Sequence, residues 1–505
     1  MNDAIGLTPE SVLLVAVLLP LATAVAVVAF GRWPNLREGA TLSGGAVTLA
    51  LVAGILLPAV RGGGRPRIDL FEILPGLQVS LHGEPLGLIF ALVASSLWIV
   101  TSLFAVGYLR GHHSPNQTRF FTFFALAIFG ALGVALSANL LTLFLFYELI
   151  TLCTFPLVTH DGTERAKKAG RLYLGLLMST SVGLMLPAVI WIWNTTGTLE
   201  FRPGGILQGH VAGGSAAVLL ALFAFGTAKA ALMPVHRWLP AAMVAPTPVS
   251  ALLHAVAVVK AGVFTLTKVV VYVFGLDLLS TGAARPIQWI AAFTLLAASV
   301  VALYQDNLKR RLAYSTISQL AYIVLGATLA APKALVGAGL HIVMHAFGKI
   351  TLFFCAGAIY VHAHKTNLRQ MHGLGRRMPV TFMAFFLGSL SVIGVPPLGG
   401  SWSKLWLGSG AAQGDEPWAV AVYMLASLLA IGYLMPVVAR GFFGEPSPDD
   451  AFCRDQDINE ASPLLSLPPA FTALCCLALF VFAGELADFL GGMLGAPTST
   501  AIGAP

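Results

Sequence analysis

Long, continuous apolar runs are the feature of this sequence that most limits what the chain can fold into. About 20 apolar residues cross a bilayer as a helix, and helices satisfy their backbone hydrogen bonds in lipid without closing into a barrel. Runs of spanning length lie at about 11–30, 38–60, 87–109, 118–137, 139–158, 169–194, 215–242, 247–274, 286–304, 312–330, 334–362, 380–411, 417–442 and 464–490. The prediction is therefore an all-α polytopic membrane protein with about 14 transmembrane helices.

The composition supports the same fold class and excludes others. Of the 505 residues, 57% are hydrophobic and only 10% are charged, and the mean hydropathy is +0.83. A soluble domain carries about 25% charged residues. A soluble enzyme, a disordered tail and a nucleic-acid-binding module are excluded, and the net charge of +7 is attributed to cytoplasmic loops.

The distribution of Lys and Arg predicts the orientation. With the N-terminus outside, the inside loops hold eighteen Lys and Arg residues and the outside loops hold six. This bias indicates a multi-pass membrane protein with both termini, Met1 and Pro505, on the external side. The first ten residues, MNDAIGLTPE, lack the basic segment of a signal peptide, so the first run is expected to be a retained span.

The five cysteines do not suggest a redox centre. They are Cys153, Cys355, Cys453, Cys475 and Cys476, and no Cys/His group has the spacing of a zinc or iron–sulfur site. We expect the chain to carry no metal and no cofactor.

Ionisable residues inside the predicted spans are the strongest functional signal, because each costs roughly 2.5–3.5 kcal/mol at the bilayer centre. They are Glu148, Lys229, His254, Lys260, Lys268, His341, His345, Lys349 and Lys404. Three have simpler interpretations: Lys268 snorkels to the outer surface, His254 only ties down carbonyls near a proline turn, and His341 lies too close to the surface to matter. The other six are interpreted as functional. His254 and His341 are kept with them as candidate members of a proton pathway, and Lys268 is not included.

One helix face gathers three of these residues. His341, His345 and Lys349 repeat every four residues, which predicts a proton wire along that face. Bound haem would compete for the histidines, but it needs ligands on two facing helices, and no matched pair is found. Glu148 is interpreted as the only acid within the spans, and it is expected to pair with a lysine.

Two predicted spans contain helix-breaking residues beside a lysine. The first break runs from Lys229 to Pro234. The second includes Pro396, Pro397, Gly399 and Gly400, and precedes Lys404. Irregular backbone at membrane depth is typical of wet cavities and ion sites. Lys404 should begin a half-helix, whose positive N-terminal end disfavours a charged ammonium.

The positions of the breaks predict the domain organisation. Residues 1–110 form three N-terminal helices, 118–274 a first five-helix repeat (helices 4–8), 286–442 a second repeat (helices 9–13), and 464–490 helix 14. The fourth helix of each repeat, helix 7 or helix 12, is the discontinuous one. Because five is odd, the second repeat is inverted relative to the first, as in many transporters.

Several segments resemble one protein family in order along the chain. They are FFTFFALAIFGALGVALSANLLTLFLFYELITL, KAALMPVHRWLPAAMVAPTPVSALLHAVAVVKAG, LKRRLAYSTISQLAYIVLG, LHIVMHAFGKITLFFCAGAI and GVPPLGGSWSKLWL. Over roughly residues 90–410 they are similar to the antiporter-like subunits of respiratory complex I and of Mrp-type cation/proton antiporters.

The resemblance implies a fold of fourteen helices with discontinuous helices 7 and 12. It also implies a hydrated, proton-moving axis through Glu148, Lys229, Lys260, Lys349 and Lys404, with Glu148 paired to Lys229. It implies no bound redox cofactor, so no enzymatic reaction is assigned to the chain itself.

Size and Lys404 are most similar to the D subunit of an Mrp antiporter, and we expect no counterpart of the lateral helix that follows helix 14 in the L-type complex I subunit. The expected function is therefore proton conduction within a multisubunit Na⁺/proton antiporter, with other membrane subunits as partners. The alternatives are a proton-pumping subunit of a complex I-like or membrane-bound hydrogenase complex, a subunit of a bicarbonate uptake complex, and a self-contained solute carrier.

Overall fold

The computed structural model describes residues 8–446, 452 and 457–495, so the predictions for Met1, Cys453 and Pro505 fall outside it. We number α1 to α14 so that each label matches the predicted span, give the two halves of the twelfth span the letters a and b, and call the short helix after α14 α15. The helices are α1 (Pro9–Ala29), α2 (Pro34–Arg61), α3 (Pro85–Gly111), α4 (Gln117–Ala135), α5 (Leu140–Val158), α6 (Glu164–Thr196), α7 (Gly213–Gly226), α8 (Thr247–Phe274), α9 (Arg285–Tyr304), α10 (Leu308–Thr328), α11 (Pro332–Ala363), α12a (Pro379–Ile393), α12b (Gly400–Gln413), α13 (Pro417–Phe443), α14 (Pro463–Val481) and α15 (Ala483–Gly491).

Among the described residues, eleven helices are long and apolar enough to cross a membrane. The other predicted spans coincide with α7, α10 and the pair α12a and α12b. Helices α7 and α12a are apolar but end at the predicted breaks, and α10 carries several buried hydroxyl and amide side chains. The polytopic helical fold is confirmed, and the count of fourteen crossings stays a prediction.

Helices α8 and α11 form the centre of the molecule. Every residue of α8 is buried, and α11 is buried along almost its whole length. Helix α11 packs against α12b, α14, α12a, α10 and α3. The outer helices α1, α13 and α14 expose apolar side chains on one side, as expected of helices that face lipid.

A β-hairpin that was not predicted adds to the helical fold. Strands β1 (Arg67–Leu74) and β2 (Leu77–His82) pair in antiparallel fashion between α2 and α3, and Gly76 occupies their turn with φ of 80°. Apolar and polar residues alternate here as in a half-buried strand, but the prediction considered only runs long enough to span.

The hairpin is bonded to the connection between α4 and α5. The His82 amide donates to Leu136 O at 2.7 Å, and Asn139 Nδ2 donates to Gln78 O at 2.9 Å. Both strands therefore lie at the ends of α3, α4 and α5, on the side that the charge distribution assigns to the exterior.

Both predicted helix breaks are present. Helix α7 ends at Gly226, and short turns replace it as far as Val244, including Ala231 in the left-handed region with φ of 56°. Helix α12a ends at Ile393 and α12b begins at Gly400. Each break contains a cis X–Pro bond, Met233–Pro234 in the first and Pro396–Pro397 in the second.

Two glycines let neighbouring backbone approach these breaks. A Cβ atom at Gly262 of α8 would lie 2.3 Å from Ala230 N and 2.4 Å from Lys229 C. A Cβ at Gly400 would lie 1.8 Å from Ser391 O. The breaks are thus held in shape by close main-chain packing.

Candidate functional site

Lys404 lies on the first turns of α12b, and its side chain reaches back across the break. Its Nζ donates to Ile393 O, the last carbonyl of α12a, at 3.0 Å and to Ser427 Oγ at 3.0 Å. The C-terminal end of a helix carries partial negative charge, which favours a cation. Lys404 lies near the start of α12b as predicted, and its ammonium also meets the negative end of α12a, which opposes the effect expected from the positive end of α12b.

Tyr322 connects Lys404 to the histidines of α11. The Lys404 ammonium lies 4.6 Å from the centroid of the Tyr322 ring, and the His341 ring stacks on the same tyrosine at 5.5 Å. The Tyr322 hydroxyl donates to Tyr423 O at 2.8 Å, which fixes the ring in place.

His341 is an interior residue, with 2% of its surface exposed, so its interpretation as a residue near the surface is wrong. Its Nδ1 is 2.9 Å from Ser403 Oγ and its Nε2 is 3.2 Å from Gln319 Oε1. Its ring stacks on His345 at 5.8 Å. Both nitrogens of His341 therefore contact groups that can exchange hydrogen bonds.

His345 joins α11 to α8. Its Nδ1 lies 2.6 Å from Lys260 Nζ, and both residues are buried. Among the described residues its Nε2 contacts no hydrogen-bond partner. Because an ammonium is only a donor, Nδ1 must accept whenever Lys260 is charged.

These contacts form one buried array in the order Lys404, Tyr322, His341, His345 and Lys260, which we call the central array. It draws on α12b, α10, α11 and α8. The sequence predicted four of its five members, and Tyr322 was missed because a tyrosine in an apolar run carries no charge signal.

The Lys349 side chain does not join the predicted proton wire along α11. Its Nζ donates to Ser315 Oγ and, at 3.5 Å, to Leu312 O, both on α10. One face of α11 carries His341, His345 and Lys349, as predicted. His345, however, forms its hydrogen bond with Lys260 and not with Lys349. The three-residue wire along α11 is therefore corrected to a path that crosses to α8.

Lys229 lies in the Ala228–Ala230 turn after α7 and is fully buried. Its Nζ donates to Tyr147 O at 2.6 Å and lies 3.2 Å from the centroid of the Tyr147 ring. Glu148 acts on this ammonium electrostatically but is not within salt-bridge distance of it, so the expected Glu148–Lys229 ion pair is not formed. Both Glu148 carboxylate oxygens are buried and contact no hydrogen-bond partner in the described part of the chain.

His254 lies in a π-helical turn of α8, Leu252–Val256, close to the Pro248 turn. Its ring lies 4.5 Å from that of Phe353, and neither ring nitrogen has a hydrogen-bond partner within the described ranges. The interpretation that it ties down carbonyls is therefore wrong. Single π turns are frequent at functional sites.

Glu148 is not the only acid within the helices. Glu38 of α2 is buried with 6% of its surface exposed. Its carboxylate accepts from Arg110 at 2.5 Å and from Arg37 at 3.2 Å. This cluster joins the N-terminal end of α2 to the C-terminal end of α3, and it was missed because Glu38 coincides with the predicted start of its span.

Lys268 does not snorkel. It is fully buried and forms an ion pair with Glu84 Oε1 at 3.1 Å. Tyr272 donates to the other carboxylate oxygen of Glu84. Glu84 is the N-cap of α3 and precedes Pro85, a combination that indicates a helix start. This local pattern does not indicate that Glu84 pairs with Lys268.

Among residues 8–446, 452 and 457–495, the structure brings together no group of three or more His, Cys, Asp or Glu side chains that could hold a metal ion. What the site offers chemically is a set of buried lysines, histidines and tyrosines in contact, which can accept and donate protons.

Comparison with known proteins places this geometry in context. Residues 137–430 match the family model described as NADH:quinone oxidoreductase/Mrp antiporter, TM. The chain is 32% identical over 347 residues to NAD(P)H-quinone oxidoreductase chain 5 of Synechocystis sp., covering 65% of this chain and 49% of that protein. It is 31% identical over 492 residues to the A/B subunit of a probable K(+)/H(+) antiporter of Rhizobium meliloti, covering 94% of this chain and 47% of the relative. The chain thus spans about half the length of these curated relatives.

Two solved structures share the fold. One is a chain of the membrane-bound sulfane sulfur reductase, an archaeal respiratory membrane complex, with a TM-score of 0.82, 24% identity and coverage of 97% of this chain and 99% of that one. The other belongs to the Mrp complex from Dietzia sp. DQ12-45-1b, with a TM-score of 0.79, 23% identity and coverage of 96% and 98%. None of these relatives and structures is named as a D subunit, so that assignment stays a prediction.

Proposed function

Because the chain belongs to the NADH:quinone oxidoreductase/Mrp antiporter transmembrane family, we propose that it is a proton-conducting subunit of a multisubunit monovalent cation/proton antiporter of Mrp type. Its partners are other membrane subunits of the same complex, in a bacterial inner membrane. Na⁺ is the first candidate for the exchanged cation, and K⁺ is the cation in the name of the Rhizobium relative.

The observation that carries this proposal is the central array. Two links of the array lie within hydrogen-bond distance: Lys260 to His345 at 2.6 Å and Lys404 to the Tyr322 hydroxyl at 3.5 Å. His341 joins Tyr322 and His345 by ring stacking, at 5.5 Å and 5.8 Å between centroids, and we assign proton transfer at these two links to water. Proton transfer needs donors and acceptors held within hydrogen-bond reach or joined by one water. Histidines suit this role because they titrate near neutral pH.

The connection from Lys260 to Lys229 is the remaining part of the proposed path. Gly262 lets α8 approach the α7 break, so the two lysines lie on backbone segments in contact. No direct side-chain contact joins them among the described residues, and we assign this step to water. Glu148, His254 and Lys349 flank the path and set the local charge.

A complex I-like proton pump is the second candidate. The 32% identity to chain 5 of the Synechocystis oxidoreductase favours it. The two functions differ in what drives the protons: a cation gradient drives an antiporter, whereas electron transfer in partner subunits drives a pump.

Exchange in everted membrane vesicles tests the proposal. The chain is expressed with its neighbouring genes, and collapse of a pH gradient is followed by a fluorescent amine after addition of NaCl or KCl. We expect His345→Ala and Lys260→Ala to slow exchange at least about tenfold, because general acid–base groups contribute factors of this size or more. His210→Ala, an exposed loop histidine, is the matched control and should keep the wild-type rate.

Full exchange in His345→Ala would overturn the role of the central array. A complex that acidifies vesicles after addition of a reductant, but does not respond to NaCl or KCl, would favour the second candidate.

A further inference from the structure

The surroundings of Lys268 form a pocket separate from the central array. The ammonium is fully buried at the outer end of α8 and donates to Ser137 O at 2.7 Å and to Ala135 O at 3.5 Å. The Glu84 carboxylate lies at 3.1 Å. Three oxygens from three residues thus converge on one positive charge.

The rest of the pocket is also electronegative. Ala135 is the last residue of α4, and carbonyls at the end of a helix carry partial negative charge. The faces of Phe201 and Phe264 lie 4.8 Å and 5.4 Å from Nζ, within the range of cation–π attraction. Carboxylate, carbonyls and rings all favour a monovalent cation at this point.

The pocket is held rigidly. Tyr272 donates a hydrogen bond to the second oxygen of Glu84, and the hairpin is attached beside the pocket by the bond from the His82 amide to Leu136 O.

Burial lowers the pKa of the His82 side chain to about 4, so this histidine is neutral at physiological pH. Arg67 is occupied by Glu200 at 2.7 Å and by Asp69 at 3.0 Å, and Arg65 acts only at longer range. Within the described residues, Lys268 is the one cation within salt-bridge distance of Glu84.

We propose that this pocket is a monovalent-cation site on the outer side of the protein and that the Lys268 ammonium is its tethered occupant. Carboxylate and main-chain carbonyl oxygens are the ligands that alkali cations take in channels and carriers. Na⁺ or K⁺ occupies the pocket when the Lys268 amine is neutral and withdrawn.

The exchange conserves charge. The Lys268 ammonium releases one proton to the outer water, its neutral amine moves out of contact with Glu84, and one Na⁺ or K⁺ takes its place beside the carboxylate. One face of α8 connects the pocket to the central array. It carries a residue at every fourth position: Lys260, Phe264, Lys268 and Tyr272. Cation binding is inferred from the pocket alone, whereas its coupling to proton release rests on the proposed function.

Thermal unfolding of the purified full-length chain in detergent tests binding without transport. Lys268→Met removes the tethered cation and leaves Glu84 unpaired, so we expect a lower Tm in choline chloride at pH 8. Replacing choline by Na⁺ or K⁺ at constant ionic strength should raise the Tm of Lys268→Met by at least about 3 °C, with saturation at millimolar cation. The wild type should not respond, because its pocket is filled.

Two controls isolate the pocket. The double variant Lys268→Met/Glu84→Gln should lose the response to cations, since it has no carboxylate to compensate. Lys333→Met should not respond either, because Lys333 also lies near an aromatic ring, Trp406, at 5.6 Å, but has no ion-pair partner among the described residues.

A Tm of Lys268→Met that rises as the pH is lowered, and that ignores Na⁺ and K⁺, would overturn the proposal, because Glu84 would then take a proton in place of a cation. If Lys268→Met fails to accumulate, the same comparison is made on yield. Extraction in NaCl or KCl should rescue the variant. Rescue by Glu84→Gln but by neither salt would equally overturn the proposal.

Discussion

Lys229 and Lys404 are stabilised in the same way in the two halves of the chain. Each ammonium donates to a main-chain carbonyl, Tyr147 O at 2.6 Å and Ile393 O at 3.0 Å. Each also lies over a tyrosine ring, Tyr147 or Tyr322. Neither partner carries a formal charge, so loss of a proton from the lysine leaves no unpaired acid in direct contact. Lys268 differs because its direct partner is a carboxylate.

The first prediction separates a relay from a structural role at Lys404. Arginine keeps the charge but is not deprotonated in proteins. We expect Lys404→Arg and Lys404→Ala both to slow vesicle exchange at least about tenfold, because both remove a group that can release its proton. Exchange that survives in Lys404→Arg but is lost in Lys404→Ala would instead indicate a charge needed only to hold the structure.

The second prediction concerns Glu148. Its carboxylate acts on Lys229 through space and not through a direct bond, so its charge should matter more than its shape. Glu148→Gln should assemble normally but lose most exchange, and Glu148→Asp should retain part of it. Assembly is checked by size-exclusion chromatography of the solubilised complex, and full exchange in Glu148→Gln would show that the charge is unnecessary.

At the level of elements, the break in the twelfth span depends on main-chain contact. Gly400→Ala would place a Cβ 1.8 Å from Ser391 O, whereas a Cβ added at Gly408, in the same helix α12b, would enter open space. The third prediction is that Gly400→Ala lowers the free energy of unfolding by about 1–3 kcal/mol through overpacking.

Thermal unfolding of the solubilised chain measures this effect. Gly408→Ala is the control, and it should be neutral or slightly stabilising, since alanine is the better helix former. Equal Tm values for the two alanine variants would contradict the close packing described for the break.

The elements also show what a sequence can and cannot predict here. Pro396, Pro397 and the neighbouring glycines predicted the second break, because these residues act on the backbone locally. The contact between Lys260 and His345 could not be predicted, since the two residues are far apart in the chain and only packing of α8 on α11 brings them together. The hairpin was not predicted, because its strands are too short to be counted as membrane spans.

For the whole molecule, the eighteen-to-six distribution of Lys and Arg predicts which side faces out, and the structure groups the hairpin with the ends of the helices on that side. The helical fold followed directly from the apolar runs, because lipid leaves the backbone few alternatives. The partners of the buried charges could not be predicted in this way, because partner choice depends on side-chain geometry across helices. Glu148 was assigned to Lys229, whereas the lysine of α8 that pairs with a carboxylate is Lys268, and its partner is Glu84.

The fourth prediction tests the orientation. A cysteine at Glu72, an exposed hairpin residue, should react with a membrane-impermeant maleimide in intact cells. A cysteine at Lys168, exposed on α6, should react only in everted vesicles. Tags at Met1 and Pro505 should be accessible from outside. The reverse labelling pattern would invert the assignment of the Lys268 pocket to the outer side.

The complete burial of α8 has a consequence for biosynthesis. This helix leaves the ribosome carrying Lys260 and Lys268, and its contact with α11 becomes available only after three more helices have been made. Until then Lys260 faces either lipid or the protein-conducting channel, and lipid is the costlier of the two. Lys268 can already pair with Glu84, which is made earlier in the chain. Helix α8 is therefore expected to stay beside the insertion machinery until α11 arrives, so that the centre of the protein enters the bilayer only after α9 and α10 have been made.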